Sequence, residues 1–196
     1  MIRSMLWLPL VAAGLYVVVP PPTGERQEKQ FQVKKETAAP KDKGDEKLTP
    51  QQFLTKAIDC SLSETDMAQK AASGASTDRV RQFAQKLVDD HNKLTQRLMG
   101  AAKDLKLGVV TGMSPEHKKA LARMLFSKGN EFDREFLSYI VKSHEKALKL
   151  FEQCAKATDG DANVHKLAED SVPTLRQHLQ DARTLQTQMF GSEEKR

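Results

Sequence analysis

Past residue 50 the sequence holds no tryptophan and a single tyrosine, Tyr139. Flat aromatic platforms for stacking bases or sugars are therefore scarce. Two cysteines, Cys60 and Cys154, are too few for a disulfide framework or a spaced Cys/His zinc cluster. No glycine-rich phosphate loop and no recognisable Ser/His/Asp setting occurs, so the common nucleotide-binding and hydrolase classes find no support. The net charge of +5 is spread thinly, with Lys and Arg interleaved with acids and no basic block to follow a phosphate backbone. Nucleic-acid binding is excluded on that ground. The motif Glu-x-x-His is also missing; "HLQD" from His178 to Asp181 is its reverse, with a shorter acid. A pair of bridging carboxylates of the di-iron kind is thus not evident, which argues against ordinary ferroxidase chemistry.

What the chain does contain begins at its N-terminus. Arg3 precedes an apolar run from Met5 to Val19, the layout of a secretory signal. Fifteen residues fall short of the ~20 that a transmembrane helix needs. No small-x-small cleavage pattern follows in "VVVPPPTG", so residues 1–19 read as a signal peptide or a retained N-terminal anchor. An anchor of that kind is the one membrane contact the sequence suggests. Residues 20–49 turn to Pro, Lys, Glu, Gln and Thr with few apolar side chains, the composition of a disordered linker. Residues 191–196 read as a short disordered tail.

Residues 50–190 repeat apolar positions at threes and fours, which predicts helices throughout and no strand. Thr49 caps the first, with Pro50 at its first position, and it runs to about Ala72. Further helices are expected over about 77–106, 114–127, 130–157 and 162–189, the last carrying Pro173 as a kink. The predicted fold is an antiparallel four-helix bundle with one short extra helix between the second and third long helices. Phe132, Phe136, Ile140, Ala147 and Phe151 are among the inward positions of the third long helix.

Four ionisable groups lie on those greasy faces. His91 has Ala84, Leu87, Leu94 and Leu98 at offsets of −7, −4, +3 and +7. Glu64 keeps company with Ala57, Cys60, Met67, Ala68 and Ala71; His144 with Ile140, Ala147 and Phe151; His178 with Ser171, Leu175, Ala182 and Leu185. At ~1.5 Å per residue, and with the third long helix starting level with the end of the second, they fall at roughly 18, 22, 25 and 30 Å along the bundle. One group from each long helix can share a layer. Asp133 is three turns from His144 and reads as a structural cap or buried ion-pair partner.

Glu64, His91, His144 and His178 are candidate ligands for Fe, Zn, Mn or Cu, since bundle metal sites are built by side chains from facing helices. The competing reading is a polar network in which Glu64 accepts hydrogen bonds from the histidines, and a buried histidine more often satisfies a neighbour than a metal. Asp89, Asp90, Glu145 and Asp181 border the cluster as outer partners or as solvated surface charges. His117 and His165, near helix starts, are expected at the rim without a role. The methionines show no Met-x-x-Met spacing and read as core filler. Cys60 and Cys154, on helices taken as diagonal, are expected to stay unbonded.

The segments "FLTKAIDCSLSETDMAQKAA", "FAQKLVDDH", "GNEFDREFLSYIVKSHEKALKLFE" and "VPTLRQHLQDA" together resemble the exported bacterial family known as domain of unknown function 4142. The resemblance spans Phe53 to Leu185 and implies a ferritin-like fold and an envelope location, periplasmic, secreted or anchored. It names no reaction. The expectation is therefore an exported, non-enzymatic ferritin-like bundle able to hold a metal ion. The alternatives are an envelope interaction or stress-response module with a purely structural polar core, and a metal-dependent oxidoreductase.

Overall fold

The computed structural model describes residues 48–191, except 110, 111 and 113. The expected signal or anchor at 1–19, nearly all of the linker at 20–49, and the tail beyond 191 lie outside the described residues. Those that are described fall within one compact unit, Gly44–Arg196. They form five helices and no strand: α1 (Pro50–Gly74), α2 (Asp78–Asp104), α3 (Pro115–Phe126), α4 (Asn130–Ala155) and α5 (Ala162–Phe190). Among the described residues no helix is long and apolar enough to cross a membrane.

The helix starts follow from local chemistry. Thr49 Oγ1 accepts from the Gln52 amide at 3.2 Å while Gln52 Oε1 accepts from the Thr49 amide at 2.9 Å, a reciprocal capping box ahead of Pro50. Ser114 accepts from the His117 amide, and Asp161 accepts from Asn163 and Val164, at the starts of α3 and α5. Gly129 precedes α4 with φ at +58°, a conformation that only glycine adopts at low cost. Helix α5 continues through Pro173 to Phe190.

Helix α1 packs on α2 and α4, α5 packs on α4 and α2, and α3 rests on α4. The interior holds two separate apolar clusters. One gathers Met67, Ala71, Val80, Phe83, Leu87, Phe132, Phe136, Ile140 and Ala182. The other gathers Phe53, Leu54, Ile58, Leu98, Phe151, Val164, Leu167 and Leu175. Along every long helix a buried polar residue falls between members of the two clusters: Glu64 in α1, His91 in α2, His144 in α4 and His178 in α5. The core is thus two apolar layers with a polar layer between them.

The order of the clusters along the chain also gives direction. Helices α1 and α5 run from the Phe53 cluster to the Phe83 cluster, and α2 and α4 run the opposite way. Each packed pair of long helices is therefore antiparallel. Helix α4 starts at the end where α1 turns into α2, not level with the end of α2 as the sequence estimate assumed. Asp133 fixes that start: fully buried, it accepts from the Ser76 amide at 2.8 Å, the Ser76 hydroxyl at 2.7 Å and the Thr77 hydroxyl at 3.3 Å. The segment between α2 and α4 must therefore return along the length of the helices, and α3 lies on that return. His144 stays level with the other groups because it sits near the middle of its helix.

Candidate metal centre

His91, His144 and His178 project from α2, α4 and α5 into the polar layer, each no more than 1% exposed. Their ring centroids stand 5.3, 5.4 and 5.5 Å apart, close to an equilateral triangle. One nitrogen from each ring lies within 4.8 Å of the other two. Glu64, from α1, borders the triangle with Oε2 at 3.4 Å from His91 Nδ1 and Oε1 at 3.1 Å from His144 Nδ1. All four residues singled out in the sequence are brought together.

The outer nitrogen of each ring meets an acceptor. His144 Nδ1 hydrogen bonds with the Ile140 carbonyl at 3.2 Å, and since a carbonyl only accepts, that nitrogen carries the proton. Glu64 Oε1 lies 3.1 Å from the same nitrogen but makes no aligned hydrogen bond. His178 Nε2 donates to Asp90 Oδ2 at 3.0 Å. His91 Nδ1 faces Glu64 and the Ser61 hydroxyl at 3.3 Å; Ser61 in turn donates to the His91 carbonyl at 3.1 Å and meets Thr95 at 2.8 Å. With the outer nitrogen holding the proton, the inner nitrogen of a neutral imidazole is the one left to donate a lone pair. His144 Nε2 and His178 Nδ1 then face each other at 3.4 Å, and His91 Nε2 is buried without a hydrogen-bond partner.

The protonation balance follows from burial. Desolvation lowers His91 to about 4 against the opposing pull of Glu64, and it lowers His178 against its hydrogen bond to Asp90. Both rings are neutral at physiological pH. Burial raises the Glu64 carboxyl, but His144 and His91 outweigh it and hold it at about 2, so it is ionised. The donor set is thus imidazole nitrogen backed by carboxylate, the arrangement in which histidines bind metals. Two nitrogens bound at ~2.0–2.1 Å to one tetrahedral ion lie ~3.3 Å apart, which matches the His144–His178 spacing. The widest spacing, 4.8 Å, exceeds that by about 1.5 Å, within reach of a side-chain adjustment. The residues fit an ion.

A cleft of about 170 Å³ between α2 and α5 reaches the layer, lined by Asp90, Leu94, Arg97, Asp170 and Thr174 on the way to His91 and His178. A larger polar cavity of about 580 Å³, walled by α1, α3 and α4, includes Cys60, His117, Tyr139 and Ser143 but none of the three clustered histidines.

Of the bordering acids, Asp90 alone touches a clustered ring. Asp89 bonds Gln85 at the surface, Glu145 pairs with Arg183, and Asp181 pairs with Lys86. His165 is half-buried beside Gly160, but His117 is not a rim residue. It is buried, with Nδ1 at 2.9 Å from the Tyr139 hydroxyl and Nε2 at 3.3 Å from Asp66, because α3 folds down onto α4. Met67 and Met124 fill the core, whereas Met99 is 46% exposed; Met113 lies outside the described residues. Both cysteines are free, but not because their helices are diagonal: α1 and α4 are neighbours. Cys60 stays beside Ser143 next to the polar layer at 3.6 Å, while Cys154 belongs to the Phe53 cluster, ten residues and ~15 Å of helix beyond His144.

These features define an all-helical protein whose interior carries a histidine cluster able to hold a metal ion. The chain belongs to the family described as domain of unknown function DUF4142, whose sequence profile matches residues 34–185. No curated protein matches it. Among solved structures it is similar to CopM in the Cu(II)-bound form, with a TM-score of 0.64 at 18% identity over 74% of this chain and 100% of that one. The Cu(I)-bound form of CopM matches with a TM-score of 0.62 at 17% identity, over 73% of this chain and 99% of that one. A DUF305 fragment from Deinococcus radiodurans matches with a TM-score of 0.63 at 16% identity, over 71% of this chain and 95% of that one. At these identities the likeness is one of fold.

Proposed function

We propose that this protein is an exported metal-binding helical bundle in which His91, His144 and His178 hold one copper or zinc ion. Glu64 and Asp90 stand behind the rings and fix their tautomers. The observation that carries the reading is the approach of His144 Nε2 to His178 Nδ1 at 3.4 Å beside the unpartnered His91 Nε2. A purely structural network would place a donor opposite each acceptor. Imidazole donors suit copper and zinc, whereas Mn, Mg and Ca prefer oxygen, so Mn leaves the candidate list and iron ranks lower. Glu64 moves from the ligand list to the role of ring-orienting carboxylate, because both its oxygens lie at the Nδ1 side of the rings.

The antiparallel helices, with a return segment between α2 and α4, have the layout of ferritin-like bundles with one long crossover, and we read the fold that way. CopM, of similar fold, was captured with Cu(II) and Cu(I), which supports the choice of ion without transferring ligands. Export rests on the charged-then-apolar segment at residues 1–19 and the spacer after it. The site supports binding, buffering or transfer of an ion; no reaction is assigned.

Stripped protein titrated with Cu(II) and Zn(II) should gain melting temperature by mass action, and His91→Ala or His178→Ala should abolish the gain. An unchanged melting temperature with both ions would leave the structural polar core, and an interaction or stress module, as the reading.

A further inference from the structure

Three imidazoles occupy three positions of a four-coordinate ion, and the direction from which the fourth can be filled is set by what walls the layer. The two apolar clusters close it along the helix axes. On the α1 side stands Glu64, turned to the Nδ1 atoms of His91 and His144, with Ser61 and Thr95 bonded to each other at 2.8 Å. The larger polar cavity stops at Cys60 and Ser143. The cleft between α2 and α5 is different, for it runs from the surface to His91 and His178 themselves.

Two ion pairs flank that cleft. Arg97 lies 3.5 Å from Asp170, and Lys93 lies 3.9 Å from Asp90 Oδ1, all on partly exposed side chains. Asp90 Oδ2 meets His178. A cation arriving at the mouth meets Asp170, for which it competes with Arg97, and then Asp90, which already touches a ligand ring. Carboxylate oxygens thus form steps from solvent to the imidazoles. At about 170 Å³ the cleft is below the usual size of organic-ligand pockets, yet it has room for water-sized ligands.

We propose that the α2–α5 cleft is the path by which the ion enters and leaves, and that it keeps one coordination position open to a small exogenous ligand such as water or azide. This rests on the tri-histidine reading and extends it: the bound ion is exchangeable and addressable from solvent, not sealed in the core. Thr174 is exposed on one wall and Leu94 is half-buried on the other, and neither is a proposed ligand, so a large side chain at either obstructs the path.

The test uses the full chain, stripped and then loaded with Cu(II). Thr174→Trp and, independently, Leu94→Trp should slow Cu(II) uptake about tenfold or more at nearly unchanged affinity, and Arg97→Ala should speed it. Azide should give a ligand-to-copper charge-transfer band in the unaltered protein and lose it in the Trp variants. Copper that binds with the same uptake rate in all three variants, or that gives no azide band in the unaltered protein, would overturn the cleft as route and open position while leaving the metal reading intact. Absence of both Cu(II) and Zn(II) binding in the unaltered protein would bring down both.

Discussion

His144 Nε2 and His178 Nδ1 stand 3.4 Å apart, while the proton of each ring is held on the far side, by the Ile140 carbonyl and the Asp90 carboxylate. Two lone pairs at that distance repel unless a cation or an extra proton sits between them. Burial lowers the pKa of His178, which disfavours an extra proton on that ring. In the proposed site a metal ion would sit between them, with His91 Nε2 as its third donor.

Glu64→Gln tests the carboxylate behind the rings. The amide keeps the shape but loses the charge, and its NH2 opposes one of the two Nδ1–H groups. Metal affinity should fall about 10- to 100-fold, read by competition with a chelating dye. Unchanged affinity would show that Glu64 does not orient the ligands.

The metal-free protein should lose stability in acid in two stages. Histidine in the unfolded chain titrates near 6.5, whereas native His91 is held at about 4 by burial. Between those values the unfolded state binds more protons, so stability falls as pH falls, by on the order of 3 kcal/mol. Glu64, at about 2 in the folded state against an ordinary 4.5, continues the loss below pH 4.5. Denaturant midpoints between pH 8 and 3 should decline monotonically below about 6.5; a maximum near pH 5 would refute the neutral buried rings.

Phe136 is fully buried in α4, with its ring centroid 6.4 Å from that of Phe83. Phe136→Ala should cost ~3–5 kcal/mol in urea unfolding. A loss below ~1 kcal/mol would contradict its burial.

Asp133→Ala removes the acceptor for three donors in the α1–α2 turn. Stability should drop by ~2–4 kcal/mol, because a donor left unsatisfied costs up to ~1–3 kcal/mol and solvent recovers part of it at exposed Ser76 and half-buried Thr77. Metal affinity should stay within a few-fold, since the turn lies at the far side of the Phe83 cluster.

Residues 1–48 fused to a reporter that works only outside the cytoplasm should give activity. Cytoplasmic retention of the fusion would remove the envelope from the proposal.

Helix limits were readable because Thr49–Pro50, Ser114–Pro115 and Asp161 carry their start signals within a few residues. The four inward polar groups were readable because each interrupts an apolar face. Asp90 was readable only as one of four bordering acids, since a residue next to His91 points about 100° away from it, toward a seam with α5 that only the fold defines. His117 looked peripheral because α3 is short, and nothing local announces that Asp66 and Tyr139 await it from α1 and α4. Helix direction was misjudged for α4 because loop length alone does not say that a segment doubles back.

The bond from Asp133 to Ser76 spans 57 positions of sequence. In a chain that emerges N-terminus first, the turn between the first two helices cannot be completed by its own residues and waits for the fourth helix to arrive. The turn of the leading hairpin therefore lacks its carboxylate partner through much of synthesis and is completed only when α4 docks. That turn should gain its protection from hydrogen exchange only when α4 docks.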